Sequence, residues 1–239
     1  MNRTSVRSNN HLSDAWKWKD SRVCDLGLRF RESGLASYRG HLMRELQQRG
    51  LMKFRPTVYF GDEWFTPDRT IAISVPFYLA TPSLIDFFLD SKCVELEGTT
   101  HDQFMRLMRH ECGHAFDHAY KISYRRDFRL LFGDPAKPYN PDAQISDYDC
   151  ESYVRNLNPG YAQTHPYEDF AETFAVWLES DEKKLRAFAA KPRIAAKFLY
   201  INKLAKLLGN AATYCTNRTP LNPTWRIKKT LIQVATASD

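Results

Sequence analysis

The sequence predicts an α+β fold, helix-rich with a small mixed sheet lying beside one long helix. Three observations carry that expectation. Apolar residues recur at helical spacing over much of the chain, most clearly Phe104, Met105, Leu107, Met108, Ala115, Phe116 and Ala119. Two short strand-like runs, Pro56 to Phe60 and Thr70 to Val75, are separated by the turn-rich Gly61-Asp62-Glu63 and Thr66-Pro67-Asp68. The 239 residues are 43% hydrophobic, 13% aromatic and 26% charged, a globular composition that excludes collagen-like, coiled-coil and wholly disordered chains.

Residues 1–20 are polar and read as a flexible or peripheral N-terminal arm. The main domain is expected over 21–210, with 211–239 as a C-terminal extension packed on it. Leu35, Tyr38, Leu42 and Leu46 share one helical face, and Gly50 sits where a C-terminal cap belongs. Pro82 opens a short helix to about Leu89. Thr100-His101-Asp102-Gln103 has the pattern of a capping box, heading the long helix that runs to about Tyr120. From Tyr124 to Pro166 the periodicity dissolves into Pro, Asn, Asp, Gly and Tyr, the signature of a long functional loop. Helical spacing returns at Tyr167, with Pro166 suited to its first turn. Ser180 and Pro192 read as further helix starts, Gly209 as a stop, and Thr230 to Ala235 as a terminal strand.

Thirty-four Lys and Arg against 28 Asp and Glu give a net charge of +6, too mild to argue for nucleic acid. The basic ends, Arg3, Arg7, Lys17 and Lys19 and then Arg226, Lys228 and Lys229, read as solvated termini. Cys24, Cys93, Cys112, Cys150 and Cys215 contain no CxxC pair, so neither a disulfide framework nor a cysteine zinc ribbon is expected. The uncharged run from Ile71 to Ile85 is too short to span a bilayer, and residues 1–10 have no apolar stretch of a secretory signal behind them. A cytoplasmic protein without membrane or nucleic-acid partners is the expectation.

The chemistry lies in His110-Glu111-Cys112-Gly113-His114, an HExxH sequence inside the long helix. Residues four apart on a helix lie about 40° from each other and one turn apart, so both imidazoles reach one tetrahedral zinc ion. Glu111 projects to the side, within reach of a zinc-bound water without ligating the metal. The bland alternative is a helix with two histidines that merely satisfy local hydrogen bonds. A third ligand decides between them. Tyr120 occupies the position at which another histidine would follow in one zinc-protease pattern, His118 overreaches, and Asp117 points off the histidine face. Glu168 and Glu172, four apart among Phe170, Ala171, Phe174, Ala175 and Trp177, are better placed. Carboxylates on a core-facing stripe are costly unless paired or metal-bound. One can ligate zinc while the other accepts the Nδ1–H of a liganding histidine.

HECGH, followed by Tyr161 and the stretch HPYEDFAETFAVW, resembles the gluzincin type of zinc metallopeptidase, and most of all a bacterial family known as putative zinc-binding metallopeptidases. The helix pair is also similar to that of anthrax lethal factor. The resemblance extends through Asp62-Glu63-Trp64 and Val75 to Leu79, over roughly residues 24–190. It implies a zincin-like fold and one zinc ion held by His110, His114 and Glu168. It further implies Glu172 as the acceptor behind a ligand, Glu111 as general base and Tyr161 as a hydrogen-bond donor to the tetrahedral intermediate. Glu172 stands where the thermolysin pattern has Asp.

The reaction implied is hydrolysis of a peptide bond in a peptide or protein by a zinc-activated water. Tyr124 and Tyr167 are alternative tyrosines for the cleft, and His165, before Pro166, reads as a loop or cap residue. Cys112 points away from the metal as a buried inert thiol. Gly113 costs about 1 kcal/mol inside a helix unless close packing demands it. Thr70 to Val75 is either an edge strand that receives substrate or an ordinary core strand. The 124–166 stretch would roof the cleft, with Tyr139, Tyr148 and Tyr153 shaping it. The alternative function is a catalytically silent zinc-bearing binding module, which would not need Glu111 or Tyr161. A di-iron protein would need a second ExxH, and the sequence has none.

Overall fold

A computed structural model describes residues 17–91, 96–144 and 148–237. Residues 1–16 of the expected N-terminal arm, with Arg3 and Arg7, and also Cys93, lie outside the described residues.

The architecture is α+β, helix-rich around a two-stranded sheet. In chain order the elements are α1 (Ala36–Gln48), β1 (Thr57–Gly61), β2 (Ala72–Pro76), α2 (Pro82–Asp90), α3 (His101–Tyr120), α4 (Arg126–Phe132), α5 (Pro166–Glu179), α6 (Glu182–Ala187), α7 (Pro192–Leu208) and α8 (Leu231–Ala235). The central α3 starts where the Thr100 hydroxyl accepts from Gln103 N and stops at Lys121, whose left-handed backbone (φ 52°) turns the chain out of the helix. It is buried along most of its length by Phe104, Met105, Met108, Cys112, Ala115, Phe116 and Ala119. Helix α5, with Pro166 at its head and His165 as its cap, packs along α3, and Phe116 stacks on Phe174 at 5.1 Å.

Strands β1 and β2 pair in parallel, from Thr57 opposite Ala72 to Gly61 opposite Pro76, and β2 packs on α3. Among the described residues, antiparallel pairing to β2 is one bridge, Phe65 with Ser74. That bridge settles the role of the Thr70–Val75 run. Ser74 N donates to Phe65 O at 2.8 Å, so the chain itself covers this edge, and every residue of β2 is buried. β2 is a core strand.

Three other expectations change. The aperiodic stretch after Tyr124 contains α4, whose Phe128 and Phe132 pack on Phe170. The next helix start is Asp181, whose carboxylate accepts from Lys184 N at 2.7 Å, and not Ser180. Thr230 to Ala235 is not a strand: Thr230 and Gln233 cap each other reciprocally and open α8. The C-terminal segment is stitched to the rest by Ile71 N to Asn217 O (2.8 Å), Tyr59 Oη to Leu221 O (2.9 Å) and Val23 N to Lys229 O (3.1 Å). Among the described residues no helix is long and apolar enough to cross a membrane.

Candidate metal centre

Helix α3 carries His110, Glu111 and His114, and α5 carries Glu168 and Glu172. The two helices touch through Gly113, and a Cβ there would lie 2.8 Å from the Ala171 Cα. A residue at the contact bulkier than glycine would hold the two rows apart. Close packing is therefore what the helix-interior glycine serves.

Three ligand atoms converge at this crossing. His110 Nε2 lies 3.1 Å from His114 Nε2 and 3.1 Å from Glu168 Oε2, and His114 Nε2 lies 3.4 Å from the same oxygen. For zinc bonds of about 2.0–2.1 Å in tetrahedral geometry, ligand atoms stand about 3.3 Å apart. The triangle has that size, and the same three residues form a cluster able to hold a metal. Although two imidazoles flank it, the buried Glu168 Oε2 meets no hydrogen-bond geometry, as expected of atoms aimed at a common point.

Electrostatics favours a cation there. Burial works to raise the Glu168 pKa, but His110 and His114 outweigh it and hold the carboxyl far below its usual range. Burial disfavours the His110 imidazolium, yet Glu168 and Glu172 on its two nitrogens carry its pKa well above 6.5. The two carboxylates thus favour positive charge at the His110 ring.

His110 Nδ1 lies 2.8 Å from Glu172 Oε1, so Nδ1–H donates to Glu172 while Nε2 faces the cluster. Glu172 is fully buried. Its other oxygen accepts from the Asn156 and Leu157 amides at 3.0 and 2.9 Å. Glu111 is buried with its Oε2 unpartnered, and burial raises its pKa. The adjacent Thr66 hydroxyl donates to Glu111 O at 2.9 Å, tying the 62–71 connection to α3.

The site floors a cleft of about 960 Å³ whose walls include Trp64, Phe65, Thr66, Tyr161, Tyr167, Tyr124, His118 and, from the C-terminal segment, Tyr214 and Cys215. The Tyr161 ring lies 5.5 Å from that of His110. Burial first, and then the Glu168 charge, keep its phenol protonated far above the ordinary range. Tyr124 and Tyr167 also reach the cleft, whereas Tyr139, Tyr148 and Tyr153 do not form its lining. Tyr148 donates to Tyr153 O, and the Tyr153 ring packs on Lys197 Nζ. His118 Nδ1 is engaged by Thr70 O at 3.1 Å and Asp117 accepts from Ser123 N at 2.6 Å. His165 caps α5 through Tyr167 N, and Cys112 is buried away from the cluster. Asn156, Leu157 and Thr66 had no signature in the sequence, because each acts from a segment without periodicity.

A helix-borne histidine pair, a glutamate from a neighbouring helix and a free buried carboxylate define a candidate metal-binding centre. Residues 101–217, just under half of the chain, match a family described as "Putative zinc-binding metallo-peptidase". The match contains α3, α5 and every residue of the cluster. It begins after the upstream part of the resemblance (24–100) and runs beyond 190. No curated protein and no solved structure matches the chain.

Proposed function

We propose that the protein is a zinc-dependent metallopeptidase that hydrolyses peptide bonds, with one zinc ion on His110, His114 and Glu168. The observation that carries this reading is the 3.1, 3.1 and 3.4 Å triangle of converging ligand atoms beside an unpartnered Glu111 oxygen. Zinc, when bound, supplies a Lewis acid that polarises the scissile carbonyl and lowers the pKa of water to about 7.

The chain's own residues do the rest. Glu172 holds His110 in the tautomer that ligates. Glu111, raised in pKa by burial, takes the proton of the attacking water and delivers it to the leaving amine. Tyr161, protonated at neutral pH, donates to the oxygen on which charge develops. Substrate lies along Trp64 to Thr66. Phe65 spends its carbonyl on Ser74, and Trp64, Phe65 and Thr66 wall the cleft beside the site. Residues 21–210 form the catalytic unit, and the 211–239 extension closes one cleft wall with Tyr214 and Cys215.

A silent zinc-bearing module would leave Glu111 without a purpose, since its orphaned oxygen is costly to bury. The test is zinc content by elemental analysis, together with hydrolysis of a mixed peptide library. Wild type should carry about one zinc per chain and Glu168→Ala much less. Glu111→Gln should keep zinc and lose turnover. Undiminished zinc in Glu168→Ala would remove the third ligand, and turnover by Glu111→Gln would remove the base.

A further inference from the structure

We infer that Asn156 is a positioning residue of the metal centre, fixing the Glu172 carboxylate that in turn orients His110. The inference rests on the zinc reading above. Glu172 accepts four hydrogen bonds: His110 Nδ1 (2.8 Å) and Asn156 Nδ2 (3.0 Å) on Oε1, and Asn156 N (3.0 Å) and Leu157 N (2.9 Å) on Oε2. Asn156 alone supplies two of the three that do not come from the metal-site histidine. With them, a carboxylate at 0% exposure is satisfied on both oxygens and cannot rotate without breaking a bond.

The side chain does more than complete a count. Its amide also reaches Arg106 O at 3.3 Å, four residues before His110 on α3. Asn156 therefore bridges the helix of the histidines to the helix of the glutamates. Both groups facing Nδ2, a backbone carbonyl and a carboxylate, are acceptors only, so the position requires an NH₂ and rejects the isosteric aspartate. The residue is 4% exposed.

The loop that carries Asn156 is anchored independently. Lys197 Nζ donates to Ser152 O at 2.7 Å, and Arg193 Nη1 donates to Ser152 Oγ at 2.9 Å. Loss of the Asn156 side-chain amide should thus leave the loop in place while loosening Glu172, whereas loss of the Ser152 hydroxyl removes only the Arg193 contact and leaves Lys197 on Ser152 O and the Glu172 bonds in place. A partner directly behind a ligand, as Glu172 is behind His110, is worth about 10–100-fold in metal affinity, and Asn156 acts by holding that partner.

The experiment compares wild type with Asn156→Ala, Asn156→Asp and Ser152→Ala. For each, the zinc dissociation constant is measured by chelator competition, the visible spectrum after loading with Co²⁺, and the thermal midpoint. Asn156→Ala should weaken zinc by about 10-fold and Asn156→Asp by about 100-fold, both with altered cobalt bands. Ser152→Ala should lower the thermal midpoint and leave both metal readouts unchanged. Asn156→Ala keeps both backbone donors and decides the matter even where the aspartate variant does not fold. Wild-type zinc affinity and cobalt bands in a folded Asn156→Ala would overturn the inference, as would an equal loss of zinc in Ser152→Ala. A wild type that binds no zinc would instead overturn the metal centre itself, and the inference with it.

Discussion

Gly113 of α3 faces Ala171 of α5 so closely that a Cβ on the glycine would stand 2.8 Å from the Ala171 Cα and 3.2 Å from its carbonyl oxygen. The contact lies between the two histidines on one helix and between the two glutamates on the other. It sets the spacing at which Glu168 meets both imidazoles and Glu172 meets His110. Helix propensity alone would make Gly113→Ala stabilising by about 1 kcal/mol. The packing argument predicts the opposite sign, because overpacking against backbone costs about 1–3 kcal/mol and displaces α5. Gly113→Ala should therefore unfold at lower urea and bind zinc at least several-fold more weakly. A more stable variant with unchanged zinc affinity would refute this account of the helix contact.

That contact also explains what the sequence disclosed. Both site helices were legible because their apolar positions repeat at helical spacing and their starts carry recognisable signals, the Thr100 cap of α3 and Pro166 in the first turn of α5. Each metal-site pair sits four apart on such a helix, so periodicity alone put His110 with His114 and Glu168 with Glu172 on common faces. Pairing the two helices needed more than periodicity, since Gly113 announces a close approach without naming its partner. The loop contribution was illegible: Asn156 and Leu157 act through backbone and amide donors whose position depends on tertiary anchoring at Ser152. Short windows misled in both directions. Phe128 and Phe132 mark α4 only weakly among turn formers, and the six residues from Thr230 to Ala235 fit either period until the Thr230–Gln233 cap decides.

Metal removal should cost folding stability, because the converging ligand atoms repay their burial only when a cation lies between them. At free zinc about 100 times the dissociation constant, linkage adds about 2.7 kcal/mol to the folded state. The wild-type thermal midpoint should rise with zinc and fall on chelation. His114→Ala and Glu168→Ala should show neither response. A zinc-dependent shift of wild-type size in Glu168→Ala would point to a different site.

The 148–156 loop is fastened by a buried ion pair away from the cleft. Lys197 Nζ donates to both Asp169 oxygens, at 2.9 and 2.6 Å, and to Ser152 O, with both side chains almost wholly inaccessible. Removing one charge strands the other, which costs about 3–5 kcal/mol. Lys197→Met should lose that much in urea denaturation, and adding Asp169→Leu should recover a large part of it. If the double variant is no more stable than Lys197→Met, the loss comes from packing around the Lys197 stem and not from a stranded carboxylate.

Tyr124, Tyr161, Tyr167 and, from the C-terminal segment, Tyr214 line the cleft, and the oxyanion role discriminates among the first three. Tyr124 is 76% exposed, so water competes for its hydroxyl and little differential stabilisation is available from it. Tyr167 lies near Ser123 and Asp117, and burial raises its phenol pKa. Tyr161 is more deeply held, its ring beside His110, and burial first and then the Glu168 charge keep its phenol protonated. A donor aimed where charge develops is felt in the transition state more than in the ground state. Tyr161→Phe should therefore lower kcat by about 10²–10³ with little change in KM and with zinc retained, as for other lost oxyanion donors. Tyr124→Phe and Tyr167→Phe should each stay within a few-fold of wild type. Steady-state kinetics on one cleaved peptide checks all three. A KM effect confined to Tyr161→Phe would make it a substrate contact, and an equal kcat loss in Tyr167→Phe would transfer the role to that residue.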